Sequence, residues 1–293
     1  MKPVFIGSGV AIITPFDKDG KINFERFEKL IEYQIENLTD AIIVCGTTGE
    51  GSTLTVYERL KLFTAAVETV DGRVPVIGGT GSNSTSFSLA LSKEAEKTGI
   101  DAHLMVTPYY NKTSQKGLIK HYYHLADQLE KPVIVYNVPS RTGMNISPET
   151  YKELSEHKNI IAVKEADPNI AKIIKAIKLC GDNLDFYIGN DDMICPAMSI
   201  GCKGVISVLS NIMPEFTHTM TISGYNGDFK NCRAMQEKVI DLVGALFSDV
   251  NPIPVKIAMK YMNLDSGVLR LPLCEMSDKA TDNLIKEIEK ALN

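Results

Sequence analysis

The stretch IIAVKEAD, residues 160–167, decides the fold. Four apolar residues, Ile160 to Val163, run without interruption into Lys164, and the carboxylates Glu165 and Asp167 follow. A continuous apolar run marks a strand buried on both faces, as in a parallel sheet covered by helices. Lysine is almost never fully buried unless it is paired, so the amine at the far end of this strand needs a reason. Strand alternation puts Lys164 on one face with Ala162 and Ala166, and Ile161, Val163 and Glu165 on the other.

Seven further runs of the same kind lie around it: GVAIIT (9–14), AIIVCG (41–46), VPVIGG (74–79), AHLMVTP (102–108), PVIVYNVP (132–139), DFYIGN (185–190) and GVISVLS (204–210). Successive starts are about 20 to 33 residues apart, room for a strand and a crossover helix. The spacers read as helices. NFERFEKLIEYQIENL puts Phe24, Phe27, Leu30, Ile31 and Ile35 on one face, and SPETYKELSE opens with Ser147 as N-cap and Pro148 in the first turn. Strict alternation of strand and helix predicts an α/β fold with a parallel sheet. Eight units in roughly 225 residues match a closed (β/α)8 TIM barrel, with an open doubly wound sheet as the alternative. From about residue 226 only helical patterns remain. The expected organisation is a barrel over residues 1–225 and a C-terminal helical region over 226–293.

Composition narrows the function classes. Of 293 residues 44% are hydrophobic and 23% charged, with a net charge of −5, which leaves no basic footprint for nucleic acid. No apolar run approaches the roughly 18 residues of a membrane span. The N-terminus turns polar by Asp17 and lacks a signal-peptide cleavage site, so a cytoplasmic protein is expected. The six cysteines include no C-x-x-C pair and are expected as reduced thiols. The five histidines form no H-E-x-x-H, and there is neither a G-x-G-x-x-G nor a Walker loop. The chemistry is expected to be done by side chains.

In such barrels the active site lies at the C-terminal ends of the strands. There the sequence places GTTGEG (46–51), TGSNST (80–85), PYYNK (108–112), YNVPSRTG (136–143), Lys164, GNDD (189–192) and the hydroxyls of Ser207 and Ser210. If the bulky face of the sixth strand meets the helices, Lys164 points inward between small neighbours. Desolvation then lowers its pKa and exposes a neutral amine able to form a Schiff base with a carbonyl substrate. The alternative is a structural lysine paired with Glu165 or Asp167. Thr47 and Thr48 offer hydroxyls in a loop that cradles a carboxylate, or belong to a plain turn. Tyr136 moves protons or is a core aromatic, and Arg141 forks onto a carboxylate or is solvated.

The segments GTTGE, VTPYYNK, YNVPSRTG and VKEAD together resemble the dihydrodipicolinate synthase / N-acetylneuraminate lyase family of Schiff-base aldolases, over essentially the whole chain. Thr47 and the Ser-Arg-Thr-Gly turn are similar to the synthase branch. The resemblance implies that Lys164 forms an imine with pyruvate and that the derived enamine adds to L-aspartate 4-semialdehyde. No cofactor is implied beyond that covalent imine. It also implies a proton relay of Tyr136, Thr47 and Tyr110, the last contributed by a neighbouring subunit. Thr48 would hold the pyruvate carboxylate and Arg141 that of the semialdehyde, while Gly189 and Ile206 line the pocket through their backbones. A homo-oligomer follows, a tetramer built from dimers. The rival readings are an aldolase of the same superfamily acting on a 2-keto-3-deoxy sugar acid or sialic acid, and a non-catalytic barrel. Lysine-inhibited relatives carry histidines where Val56 and Arg59 stand and a glutamate at Phe87, which implies weak or absent inhibition by lysine.

Overall fold

Eight parallel strands pair in chain order and close on themselves in a computed structural model that describes residues 3–292. Met1, Lys2 and Asn293, the ends of the two expected regions, lie outside the described residues. The strands are β1 (Gly7–Ala11), β2 (Ala41–Val44), β3 (Val76–Gly79), β4 (Ala102–Val106), β5 (Val133–Asn137), β6 (Ile160–Glu165), β7 (Asp185–Ile188) and β8 (Gly204–Ser207). The helices between and after them are α1 (Phe24–Glu36), α2 (Val56–Val70), α3 (Thr85–Glu96), α4 (Gln115–Ala126), α5 (Pro139–Thr142) and α6 (Pro148–Leu154). They continue with α7 (Ile170–Cys180), α8 (Ile194–Ser199), α9 (Pro214–Tyr225), α10 (Phe229–Leu246), α11 (Ile253–Tyr261) and α12 (Asp278–Leu292). This is the (β/α)8 barrel with C-terminal helices that the alternating pattern predicts; the open sheet is excluded by the pairing of β1 with β8.

Each expected run overlaps a strand, with a shift at β1. That strand begins at Gly7 rather than Gly9 and ends at Ala11 rather than Thr14. The ladder stops because the Ile13 N–H donates to the side chain of Asn211 (3.2 Å) instead of to a strand carbonyl. Gly7 lies opposite Gly204, and a Cβ on Gly204 would come within 2.1 Å of the Gly7 carbonyl oxygen. The closing seam of the barrel therefore needs glycine there.

Two apolar layers divide the strand residues by parity. Val10, Ile42, Val44, Val135, Val163 and Phe186 face the helices, while Ala41, Ile43, Ile77, Ile134, Ala162 and Ile206 fill the interior. A buried side chain of this size contributes about 1.5–3 kcal/mol, so a one-residue slip that exchanged the layers would be ruinous. Ile161 corrects the expected parity. Val133 pairs with Ile160 but Ile134 pairs with Ala162, which leaves Ile161 as the extra residue of a bulge. It packs against the interior cluster rather than beside Val163. Beyond it the expected alternation resumes, and Lys164 points inward with Ala162.

The N-terminal end of the barrel is plugged. Tyr187 stacks on Phe5 with ring centroids 4.3 Å apart, and its hydroxyl donates to the Phe5 carbonyl at 2.7 Å. Several helices start on side-chain caps. Ser147 accepts from the Thr150 N–H at 3.2 Å with Pro148 in the first turn, as expected, and Thr55 with Glu58 forms a capping box. Each such cap is worth about 1 kcal/mol.

Candidate active site

The loop after β2 is wound tightly. Cys45 and Glu50 both adopt left-handed φ values of +57° and +52°. The Gly51 N–H donates to the Gly46 carbonyl and the Glu50 N–H to that of Thr47. A Cβ on Gly51 would sit 2.2 Å from the Cys45 carbonyl oxygen, so the wrap tolerates only glycine. Thr47 and Thr48 are thereby held at the tip, over the open end of the barrel. After β5, the Pro-Ser-Arg-Thr-Gly turn is the rigid short helix α5, closed by Gly143 at φ +66°. It carries Arg141.

A cavity of about 520 Å³ opens at these strand ends. Thr47, Thr48, Tyr136, Arg141, Lys164 and Gly189 all line it. A second hollow of about 350 Å³ adjoins it, sharing Thr47, Tyr136, Val138 and Arg141. Two residues expected at the site do not line either space. Ile206 is fully buried in the interior cluster on β8, and Tyr110 is 92% exposed on the loop after β4. Tyr110 also holds φ at +68°, a conformation that costs an aromatic residue of order 1–3 kcal/mol.

Lys164 is 7% exposed. Its Nζ lies 4.5 Å from the centre of the Tyr136 ring, the residue opposite it on β5. Neither nearby carboxylate is available to it. Glu165 faces outward and accepts from Tyr151 Oη (2.6 Å), Asn137 Nδ2 (2.8 Å) and the Asp167 N–H (2.8 Å). Asp167 accepts from Lys172 Nζ (2.8 Å) and Asn145 Nδ2 (2.7 Å). Burial pulls the Lys164 amine down to about 8, helped by the Arg141 guanidinium and opposed by the Asp191 carboxylate. A Cβ on Gly189 would lie 3.0 Å from Lys164 Cε, so glycine there leaves the lysine stem its room. Burial raises the Tyr136 phenol, against Arg141 and a hydrogen bond with Thr47, and the group stays a proton donor near neutrality.

Three contributors have no role assigned from the sequence, and of these only Asp191, within GNDD, lies in a segment expected at the strand ends. Asn251, at the end of the stretch between α10 and α11, donates from Nδ2 to Thr48 Oγ1 at 3.0 Å, and its backbone carbonyl accepts from Arg141 Nη2 at 3.2 Å. One residue thus ties the two anion-binding candidates together. Asp191 lines the cavity fully buried, accepts from the Val208 and Leu209 N–H groups at 2.9 Å, and has no partner for Oδ1 among the described residues. Val243 of α10 and Phe247, the residue that ends it, roof the cavity. The Asn-Pro pair at 251–252 could have hinted at a turn, but nothing in it points to Thr48.

Chemically, the arrangement combines a desolvated amine without a carboxylate partner, a buried phenol and hydroxyl beside it, and a guanidinium at the rim. This is a site for imine chemistry on an anionic carbonyl compound.

The chain matches the model of the dihydrodipicolinate synthetase family over residues 4–291. It is 49% identical over 286 residues to 4-hydroxy-tetrahydrodipicolinate synthase 1 of Clostridium acetobutylicum, covering 98% of this chain and 97% of that one. Among solved structures, dihydrodipicolinate synthase of Aquifex aeolicus superposes with a TM-score of 0.95 at 42% identity, covering 98% of each chain. That of Thermotoga maritima superposes with a TM-score of 0.96 at 40% identity, covering 99% of each. With the barrel, the lone inward lysine and the match along its length agreeing, the chain belongs to the dihydrodipicolinate synthetase family.

Proposed function

We propose that this enzyme condenses pyruvate with L-aspartate 4-semialdehyde to give 4-hydroxy-tetrahydrodipicolinate, through an imine on Lys164. The observation that carries the reading is an amine at about 8 facing a cavity with no carboxylate paired to it. Lowering a lysine from 10.5 to about 8 raises the neutral fraction at pH 7 about 300-fold.

Lys164 attacks the ketone carbon of pyruvate, whose carboxylate is held by Thr48 and the loop N–H groups. Tyr136 protonates the departing hydroxyl, and water leaves as the imine forms. Loss of a methyl proton gives the enamine. Its carbon adds to the aldehyde of the semialdehyde, whose carboxylate docks on Arg141, and the alkoxide takes a proton from the Tyr136–Thr47 relay. The amine of the second substrate then displaces Lys164 and closes the ring. The sum is one water released and the lysine restored. Gly189 gives the lysine room, and Ile206 packs beneath the site.

Tyr110 completes the relay from a neighbouring subunit, so a dimer is the catalytic unit and a tetramer of two dimers the assembly. Its exposure and its left-handed backbone support that reading. The working division is a barrel over 1–225 and a helical region over 226–293 that roofs the site. No helix among the described residues is long and apolar enough to cross a membrane, consistent with a cytoplasmic enzyme. No prosthetic group enters the scheme.

The test is borohydride reduction with pyruvate, which fixes the imine as a stable adduct on the peptide containing Lys164, followed by a coupled assay. Turnover with aspartate semialdehyde far above that with sugar-acid aldehydes supports the assignment. The reverse preference would make the enzyme a sugar-acid aldolase, and no adduct would remove the imine.

A further inference from the structure

Two of the six cysteines are set side by side away from the catalytic lysine. Cys195 stands in the first turn of α8 and is partly exposed; Cys232 lies buried on α10. Cys232 and Gln236 are one helical turn apart on the same face of α10. That face packs on α8: the Cys195 N–H donates to Gln236 Oε1 at 3.1 Å. Cys232 Sγ is wedged against Gly224 of α9, where an added Cβ would approach it to 2.9 Å. The Cys195 sulfur is near enough to act on the Cys232 thiol. A groove of about 450 Å³, with Lys230 and Arg233 at its rim, opens onto Cys195.

We propose that Cys195 and Cys232 form a dithiol modification site, which a hydroperoxide converts into an intramolecular disulfide clamping α8 to α10. The groove admits the oxidant to Cys195 alone. The Cys195 sulfur attacks the terminal peroxide oxygen; the O–O bond breaks, the other oxygen leaves with a proton as water from hydrogen peroxide or as the alcohol from an organic hydroperoxide, and a sulfenic acid remains. The Cys232 thiol then attacks that sulfur, its proton leaves with the hydroxyl as water, and the S–S bond closes. Burial and the adjoining Cys195 sulfur push the Cys232 thiol up to about 12, so it stays protonated and waits for the first oxidation. Desolvation and the closed position make it the resolving partner rather than a second target.

The pair reaches the active cavity through one side chain. Gln236 accepts from the Cys195 N–H and donates from Nε2 to the Asp191 carbonyl at 2.9 Å. Asp191 lines the cavity and acts electrostatically on Lys164. Drawing Cys195 onto Cys232 moves the ends of that bridge, so the disulfide lowers turnover.

The enzyme is treated with hydrogen peroxide and alkylated, and its intact mass and peptides are read before and after reduction. The expected result is loss of two hydrogens, a Cys195–Cys232 peptide link, and activity down about fivefold, the low end of coupling between linked sites, restored by dithiothreitol. Cys195→Ser should form no link and keep its activity under peroxide. Cys232→Ala, if it folds, should leave a sulfenic acid on Cys195 that dimedone traps. Phenylarsine oxide, which bridges only neighbouring thiols with loss of water, should bind the reduced wild type one to one and spare both variants. Both thiols remaining alkylatable after peroxide, or a link through Cys274 instead, would overturn the site. A Cys195–Cys232 link with unchanged activity would overturn its reach to the cavity.

Discussion

Lys164 and Lys256 are the two buried lysines among the described residues, and each sits over an aromatic ring, Tyr136 at 4.5 Å and Phe16 at 4.2 Å. Burial lowers both amines. Their surroundings then part. Lys256 is paired with the fully buried Glu50 and donates to the Val268 carbonyl at 2.8 Å. Glu50 in turn accepts from the Arg270 N–H at 3.0 Å, and Arg270 clasps Glu58. Lys164 has no such carboxylate; Asp191 acts on it only electrostatically, and Arg141 opposes its charge. Burial alone therefore does not make a lysine reactive. Burial with the counter-charge withheld does.

Exchanging the fates of the two lysines gives the largest expected effects. Lys164→Ala should abolish the pyruvate adduct while the protein melts near the wild-type temperature, as borohydride trapping and calorimetry would show. Lys164→Arg should fail as completely, since guanidinium does not deprotonate to a nucleophile. Lys256→Met leaves Glu50 buried and unpaired, and should cost about 3–5 kcal/mol of stability by denaturant titration, while folded molecules still form the adduct. Adding Glu50→Gln should recover much of that loss. Full adduct in Lys164→Ala, or a Lys256→Met protein as stable as wild type, would erase the distinction.

A smaller effect sharpens it. Imine formation should accelerate with pH through about 8, because the protonated amine dominates below that value and is not nucleophilic. Asp191→Asn removes the influence that raises Lys164, so its rising limb should move to lower pH. Arg141→Ala removes an influence that lowers it, so the limb should move to higher pH, and use of the semialdehyde should fall far more than adduct formation. Stopped-flow pH profiles of the three proteins test the signs. Limbs that coincide would mean that neither group acts on Lys164.

Two outcomes concern the exposed face. Tyr110→Phe should lower turnover with little change in folding, and full activity from a demonstrated monomer would refute a relay shared between subunits. The smallest expected effect is that of lysine. If the family resemblance holds for regulation, Arg59 and the half-exposed Phe87 replace the histidine and carboxylate of lysine-inhibited relatives, so half-inhibition is expected only above about 1 mM, an affinity weaker than roughly −4 kcal/mol. An activity titration at subsaturating pyruvate reads it.

Much of the barrel and the inward lysine was legible in the sequence because the signals are local. Apolar runs of strand length give the sheet, and a two-residue period places Lys164 beside Ala162. Glycines and hydroxyls after the runs mark the open end. Ile161 was misplaced because a bulge is a property of two strands, and neither shows it alone. Asn251 and the roof of α10 were missed, and Asp191 was placed at the open end within GNDD without a role, because docking of distant segments decides what they do. Asn251 meets Thr48 across 203 residues, a separation at which no periodicity speaks. Tyr110 was proposed only through family resemblance; by itself it reads as a loop aromatic.

Asn251 has a consequence for how this gene can change length. The last sixty-odd residues look like an addition to a finished barrel, and barrels elsewhere do without them. Here the add-on supplies the amide on Thr48, the carbonyl on Arg141, the amine that neutralises Glu50 and the backbone N–H of Arg270. A stop codon after residue 225 would leave every strand intact and every residue of the proposed imine chemistry present. It would also leave both anion-binding candidates adrift and a carboxylate stranded inside the loop that carries them. Shortening such a gene from its 3′ end therefore meets a wall at residue 270, since each further cut removes a group that holds the loop or its two anion-binding candidates.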